Sequence, residues 1–107
     1  MLDFYYVQLP VDVNDNYLQP LEYSLSQNYP NPFNPTTSFN YSLPSDGKVM
    51  IKIYDALGRE VKTLVDEFKH SGKYTVYFNS TGLASGVYIY KLVSGNYNTV
   101  KKMILMK

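Results

Sequence analysis

From Ser38 onward, apolar and polar residues exchange places at every second position, and that period leaves little room for anything but β-structure. Phe39, Tyr41 and Leu43 alternate with Ser38, Asn40 and Ser42; Val49, Ile51 and Ile53 follow, then Tyr74, Val76 and Phe78. Successive side chains of a strand point to opposite faces, so each run offers one face to a core and the other to water. Turn signals punctuate the runs. Ser45-Asp46-Gly47-Lys48 separates the first two and predicts a hairpin between them. Asp55-Ala56-Leu57-Gly58 reverses the chain into Arg59-Glu60-Val61-Lys62-Thr63-Leu64-Val65, and Lys69-His70-Ser71-Gly72 precedes Tyr74. Asn79-Ser80-Thr81-Gly82 and Ala84-Ser85-Gly86 bracket Leu83 before a run from Val87 to Val93, and Gly95-Asn96 turns into residues 97–106. Six strands with turns at this spacing predict an all-β antiparallel β-sandwich.

Other observations agree. Twelve tyrosines with no tryptophan suit half-buried strand positions, because the ring is apolar and its tip polar. In Leu83-Ala84-Ser85-Gly86-Val87-Tyr88 the pattern fits a tyrosine corner, with the Tyr88 hydroxyl bonding back to the backbone; alternatively Tyr88 is one more inward strand aromatic. Tyr29-Pro30-Asn31-Pro32-Phe33-Asn34-Pro35 is stiffened by its prolines, and Phe33 is expected to plug one end of the core.

The 107 residues make one domain, divided here into residues 1–24 and residues 25–107. The first part carries Asp3, Asp12, Asp15 and Glu22 without one base, interrupted by Pro10 and Pro20, and reads as an acidic linker or the end of a preceding segment. Within it Phe4, Tyr6, Val11 and Val13 alternate either side of Pro10, which predicts an extended segment in need of a pairing partner.

Several functions are disfavoured. A formal charge of +1 provides no field for nucleic acid or an anionic membrane. Without cysteine, a disulfide framework, a thiolate zinc site and a thiol nucleophile all fall away. No apolar run approaches the roughly 20 residues needed to cross a bilayer as a helix, and the first residues lack the basic start and apolar stretch of a secretory signal. The chain is therefore expected to be cytoplasmic or a piece of a longer exported protein. His70 reads as a solvated turn residue, while Asp55, Glu60, Asp66 and Glu67 match no calcium loop and read as solvated acids at strand ends. No enzyme, cofactor, metal or small-molecule substrate is expected. Asn40-Tyr41-Ser42 and Asn79-Ser80-Thr81 match the glycosylation tripeptide, a pattern too common to carry weight. Tyr54 and Tyr77 are expected on outer faces, to stack on sugars or to cover cross-strand neighbours. Lys101, Lys102 and Lys107 read as protection of an edge strand.

Six motifs in order carry a resemblance over residues 25–107. They are Leu25-Ser26-Gln27-Asn28-Tyr29-Pro30-Asn31-Pro32-Phe33-Asn34-Pro35-Thr36-Thr37, Tyr41-Ser42-Leu43-Pro44, Ile53-Tyr54-Asp55-Ala56-Leu57-Gly58-Arg59-Glu60-Val61, Gly72-Lys73-Tyr74, Leu83-Ala84-Ser85-Gly86-Val87-Tyr88 and Lys101-Lys102-Met103-Ile104-Leu105. Together they resemble the C-terminal sorting domain of type IX secretion, the variety related to the immunoglobulin-like domain of the flagellar hook-capping protein, which implies an all-β, immunoglobulin-like antiparallel β-sandwich of about seven strands. Asn79 departs from the pattern, standing where members often carry an acid. The resemblance implies a non-catalytic address tag that crosses the periplasm, is read by an outer-membrane translocon and is commonly removed by a surface sortase, with any cleavage before Leu25. It also implies recognition elements at Tyr29, Pro30, Asn31 and Pro32, at Gly86, Val87 and Tyr88, and along the terminal strand Lys101 to Lys107, with Lys101, Lys102 and Lys107 its basic residues. An alternative makes the chain an extracellular structural subunit, a homo-oligomer or filament in which Phe4, Tyr6, Val11 and Val13 pair with an edge of the next copy. A third reading is a glycan-binding module acting through Tyr54 and Tyr77.

Overall fold

The computed structural model describes residues 20–107. Phe4, Tyr6, Val11 and Val13, the expected pairing strand, lie outside the described residues. The strands are β1 (Ser24–Leu25), β2 (Thr36–Leu43), β3 (Gly47–Asp55), β4 (Glu60–Lys69), β5 (Gly72–Asn79), β6 (Gly86–Ser94) and β7 (Tyr97–Leu105). They form two antiparallel sheets, β1-β2-β5 and β4-β3-β6-β7, packed as a sandwich. The predicted class, strand number and most of the turns are therefore present.

One expectation is overturned. Residues 39–53 are not a hairpin: β2 pairs with β1 and β5, β3 pairs with β4 and β6, and the Pro44–Asp46 link carries the chain from one sheet to the other. The periodicity was satisfied either way, because it fixes which side chains face the core and not which sheet bears them. Adjacent hairpins do form at β3–β4 and β6–β7, the latter around Gly95, whose φ of 59° suits a residue without Cβ. β4 also runs four residues beyond the expected stretch, to Lys69.

The core fills the space between the sheets. Phe39, Tyr41 and Leu43 of β2 and Val76 and Phe78 of β5 face Val49, Ile51 and Ile53 of β3, Tyr88, Tyr90 and Leu92 of β6, and Met103 and Leu105 of β7, all buried. Phe39 and Tyr90 stack across the two layers with ring centroids 4.2 Å apart. Phe33 closes one end as expected: it is buried, its ring lies 6.0 Å from that of Phe78, and its N–H donates to the Ile104 carbonyl at 2.9 Å.

The edges are managed. β4 carries two register shifts against β3, and such bulges at an edge increase twist and blunt further pairing. β7 ends the same sheet at its other side. There Lys101 takes a core-facing position between Thr99 and Met103 at the sheet margin, a placement that discourages pairing.

Candidate functional site

Most motif residues turn out to hold the fold. In the reversal after β3, the Asp55 carboxylate accepts from the backbone N–H groups of Leu57 and Arg59, each at 2.9 Å, and from Arg59 Nε at 2.8 Å. The Arg59 backbone bond first, and the Arg59 side chain after it, hold the Asp55 carboxyl below the usual carboxylate range. This acid builds a turn. Glu60 is lowered in the same sense by the Thr63 hydroxyl and by Lys52, whose ammonium lies 3.1 Å away. Asp46 is lowered by the Ser71 backbone N–H and then by His70, which stands exposed in the β4–β5 link with Nδ1 3.2 Å from the carboxylate. Among the described residues no group of three or more His, Cys, Asp or Glu is placed to hold a metal ion.

The tyrosine corner is formed: Tyr88 is buried and its hydroxyl donates to the Ala84 carbonyl at 2.5 Å. Tyr74 does likewise to the His70 carbonyl at 2.6 Å, four residues upstream, with the Lys69 ammonium 5.0 Å from its ring centre. In the proline segment, where the bonds preceding Pro30, Pro32 and Pro35 are all cis, buried Asn28 donates to the Pro30 carbonyl at 3.1 Å and to Thr37 Oγ1 at 3.0 Å. Ser80 ties the segment's end down by donating its N–H and its hydroxyl to the Pro35 carbonyl.

The elements that the resemblance implicates in recognition are distant in sequence and meet at one end of the sandwich. Asn31 Oδ1 accepts the Ile104 N–H at 2.9 Å, and Phe33 makes a parallel bridge to Leu105. On the other side of β7, Leu105 pairs with Gly86, Ile104 with Val87 and Met103 with Tyr88. The Lys107 N–H donates to Ser85 Oγ at 3.2 Å. The terminal half of β7 is thus held between the proline segment and the start of β6, its free edge largely satisfied by Gln27, Asn31 and Phe33.

What this ribbon offers a partner follows from the strand period. Tyr88, Met103 and Leu105 point inward and are buried; Val87 and Ile104, opposite each other, point outward and are 38% and 37% exposed. The next row outward is Tyr54, Ile89 and Lys102. A shallow cleft of about 220 Å³ beside it is lined by Leu57, Arg59, Ser85, Gly86 and Val87. The outer face there is apolar with lysines at its margin. Leu57 lies outside the expected recognition elements; Ile104 lies within the terminal strand expected among them, and the alternation that puts Leu105 inside is the signal that puts Ile104 outside. Tyr29, 81% exposed, stands apart from this ribbon, on the outer face of the other sheet. Tyr54 and Tyr77 also part company: Tyr54 is half-buried on the outer face of β4-β3-β6-β7, while Tyr77 is 73% exposed on that of β1-β2-β5. They cannot serve one ligand.

A family model described as "Secretion system C-terminal sorting domain" matches residues 27–106. No curated protein and no solved structure matches the chain.

Proposed function

The chain belongs to the secretion system C-terminal sorting domain family, and we propose that its address is displayed by the outward side of the ribbon formed by Asn31, the start of β6 and the end of β7. The family is a sorting signal of the type IX secretion system. It directs attached cargo across the outer membrane to the cell surface or the extracellular space, and its role is not catalytic. The type IX machinery is therefore the partner.

In the proposed arrangement an outer-membrane translocon component contacts Val87, Ile104 and Lys102, with Lys107 at the rim, while Lys101, on the inward side of β7, guards the sheet margin. Pro30, Pro32, Gly86 and Tyr88 act by holding that surface in shape, Tyr88 through its buried hydroxyl bond. Residues 1–24 tether the cargo and residues 25–107 are the tag, which a surface sortase would release before Leu25. The domain itself performs no reaction. The observation that carries this reading is the convergence of three motifs, far apart in the chain, on one strip whose outward residues are apolar or cationic.

Deleting residues 101–107 does not test it, because Met103 and Leu105 are core residues and the truncation removes the second half of β7. A reporter fusion carrying Val87→Gln with Ile104→Gln leaves the core untouched. Accumulation of that fusion in the periplasm, with the purified variant still folded, is expected; undiminished surface display would refute the proposal.

The alternative reading, a filament assembled by strand addition, has a candidate acceptor in β5, which ends the three-stranded sheet. Light scattering of the full chain and of a chain starting at Leu25 separates the two. Assembly of the full chain alone supports the filament, and two monomers dismiss it.

A further inference from the structure

The two outer faces of the sandwich differ in chemistry. On β4-β3-β6-β7 the outward side chains mix aliphatics with lysines and with the acids Glu60 and Asp66 that pair with two of them. On β1-β2-β5 they are almost all hydroxyls and amides: Ser24 and Ser26 lead into Asn40 and Ser42 of β2 and Thr75 of β5, with Lys73 on β5 and exposed Glu22 just before β1 the charged residues beside them. From this neutral face two tyrosines rise. Tyr29 makes an isolated antiparallel bridge to Ser38, and Ser38 pairs on its other side with Tyr77. The three lie in one cross-strand row, so their side chains share the outer face. Tyr29 and Ser38 exchange both backbone hydrogen bonds, at 2.8 and 3.1 Å, which makes Ser38–Tyr77 the closer, non-hydrogen-bonded kind of pair. The tyrosine backbones are therefore about 10 Å apart, from about 5.5 Å plus about 4.5 Å.

We propose that this face binds an extended neutral polysaccharide, a β-linked hexose chain, laid across the strands on the Tyr29 and Tyr77 rings. The spacing is that of alternate sugar rings in such a chain. Each pyranose would set its C–H face on an aromatic ring, where the negative π-face meets weakly positive hydrogens. The neighbouring row, Ser26, Asn40 and Thr75, then meets the sugar hydroxyls with groups that both donate and accept. That row lines a groove of about 330 Å³ continuing down the same face. Charge narrows the ligand class: a nucleic acid or anionic glycan would need several cations, and Lys73 alone supplies one. A protein partner would ordinarily find a larger apolar centre. Both rings are largely bare, at 81% and 73% exposure, and among the described residues neither stacks on another ring.

The test is affinity electrophoresis of the full purified chain in native gels containing hydroxyethylcellulose, with dextran gels as the control. Retardation by hydroxyethylcellulose but not dextran is expected. Tyr77→Ala and Tyr29→Ala should each weaken binding about tenfold. Tyr54→Ala, on the opposite face, should leave it unchanged. Because these tyrosines are exposed, the variants should stay folded, and matching circular dichroism melts would establish it. No retardation of the natural chain, equal retardation by dextran, or an equal loss with Tyr54→Ala would each overturn the proposal. Tyr77 lies outside the sorting ribbon, so a Tyr77→Ala fusion that still reaches the surface while losing glucan binding separates this inference from the sorting role.

Discussion

Leu105 and Ile104 are neighbours on one strand, yet truncating each to alanine should have opposite consequences. Leu105 is 1% exposed, packed in the core beside the bridge to Phe33. The backbone there is pinned by Phe33 N–H to Ile104 O at 2.9 Å and Met106 N–H to Phe33 O at 3.0 Å, so the site has little freedom to collapse. Burial of this kind places Leu105→Ala in the range of about 2–5 kcal/mol, and we expect about 3 kcal/mol. Against a total of about 5–15 kcal/mol that is a large fraction. With a urea slope of about 1–1.5 kcal/mol per molar for so small a domain, the midpoint should fall by about 2–3 M. Ile104 is already 37% exposed and points away from the core, so Ile104→Ala should cost less than about 1 kcal/mol. Urea titration of both purified variants, followed by circular dichroism, measures this directly. In cells, a Leu105→Ala fusion should lose display in proportion to its unfolded fraction and recover at lower temperature, whereas Ile104→Ala should lose display while folded. Equal destabilisation by the two changes, or the reverse order, would refute the inward placement of Leu105 and with it the identity of the displayed face.

Other outcomes follow from the same geometry. Tyr88→Phe removes the hydroxyl bond to Ala84 and should cost about 1 kcal/mol, lowering Tm by about 4–8 °C; an unchanged melt would show that the corner contributes nothing. Asn28→Ala leaves Thr37 and the Pro30 carbonyl with fewer partners in a buried place and should cost about 2 kcal/mol in urea titration; a neutral result would mean that the proline segment is held by packing alone. Burial pushes the Tyr41 and Tyr90 phenols up to about 12, well above an unfolded tyrosine near 10. Unfolding lets them ionise earlier, so their contribution is intact below about pH 10 and disappears as pH rises through 12. Melting followed between these values should show stability falling with phenolate absorbance; full ionisation of all tyrosines near pH 10 in the folded state would contradict it.

The strand faces were legible because alternation is a local property. Phe39, Val49, Phe78 and Ile51 could be assigned inward before any pairing was known, and Phe33 could be named as the plug because it is the one large apolar residue among prolines. The turn chemistry was equally readable at Asp55 and Gly58, and the Tyr88 corner came from a short run whose hydroxyl reaches back only four residues. Tertiary structure decided what local pattern cannot carry. Whether β2 pairs with β3 or crosses to the other sheet leaves every inward side chain inward, so only the long-range ladder distinguishes a hairpin from a sheet change. Ile104 and Val87 become one surface because β6 and β7 pair in a particular register, and a register one residue off would have turned Ile104 into the core. Tyr29, Ser38 and Tyr77 share a row only because the proline-bent excursion of residues 30–37 brings the chain back along β2, where β5 also lies. The sequence alone determined which side chains seek a core. Which of the remaining ones stand together on a surface was decided by strand pairing, because pairing joins residues that the chain itself keeps dozens of positions apart.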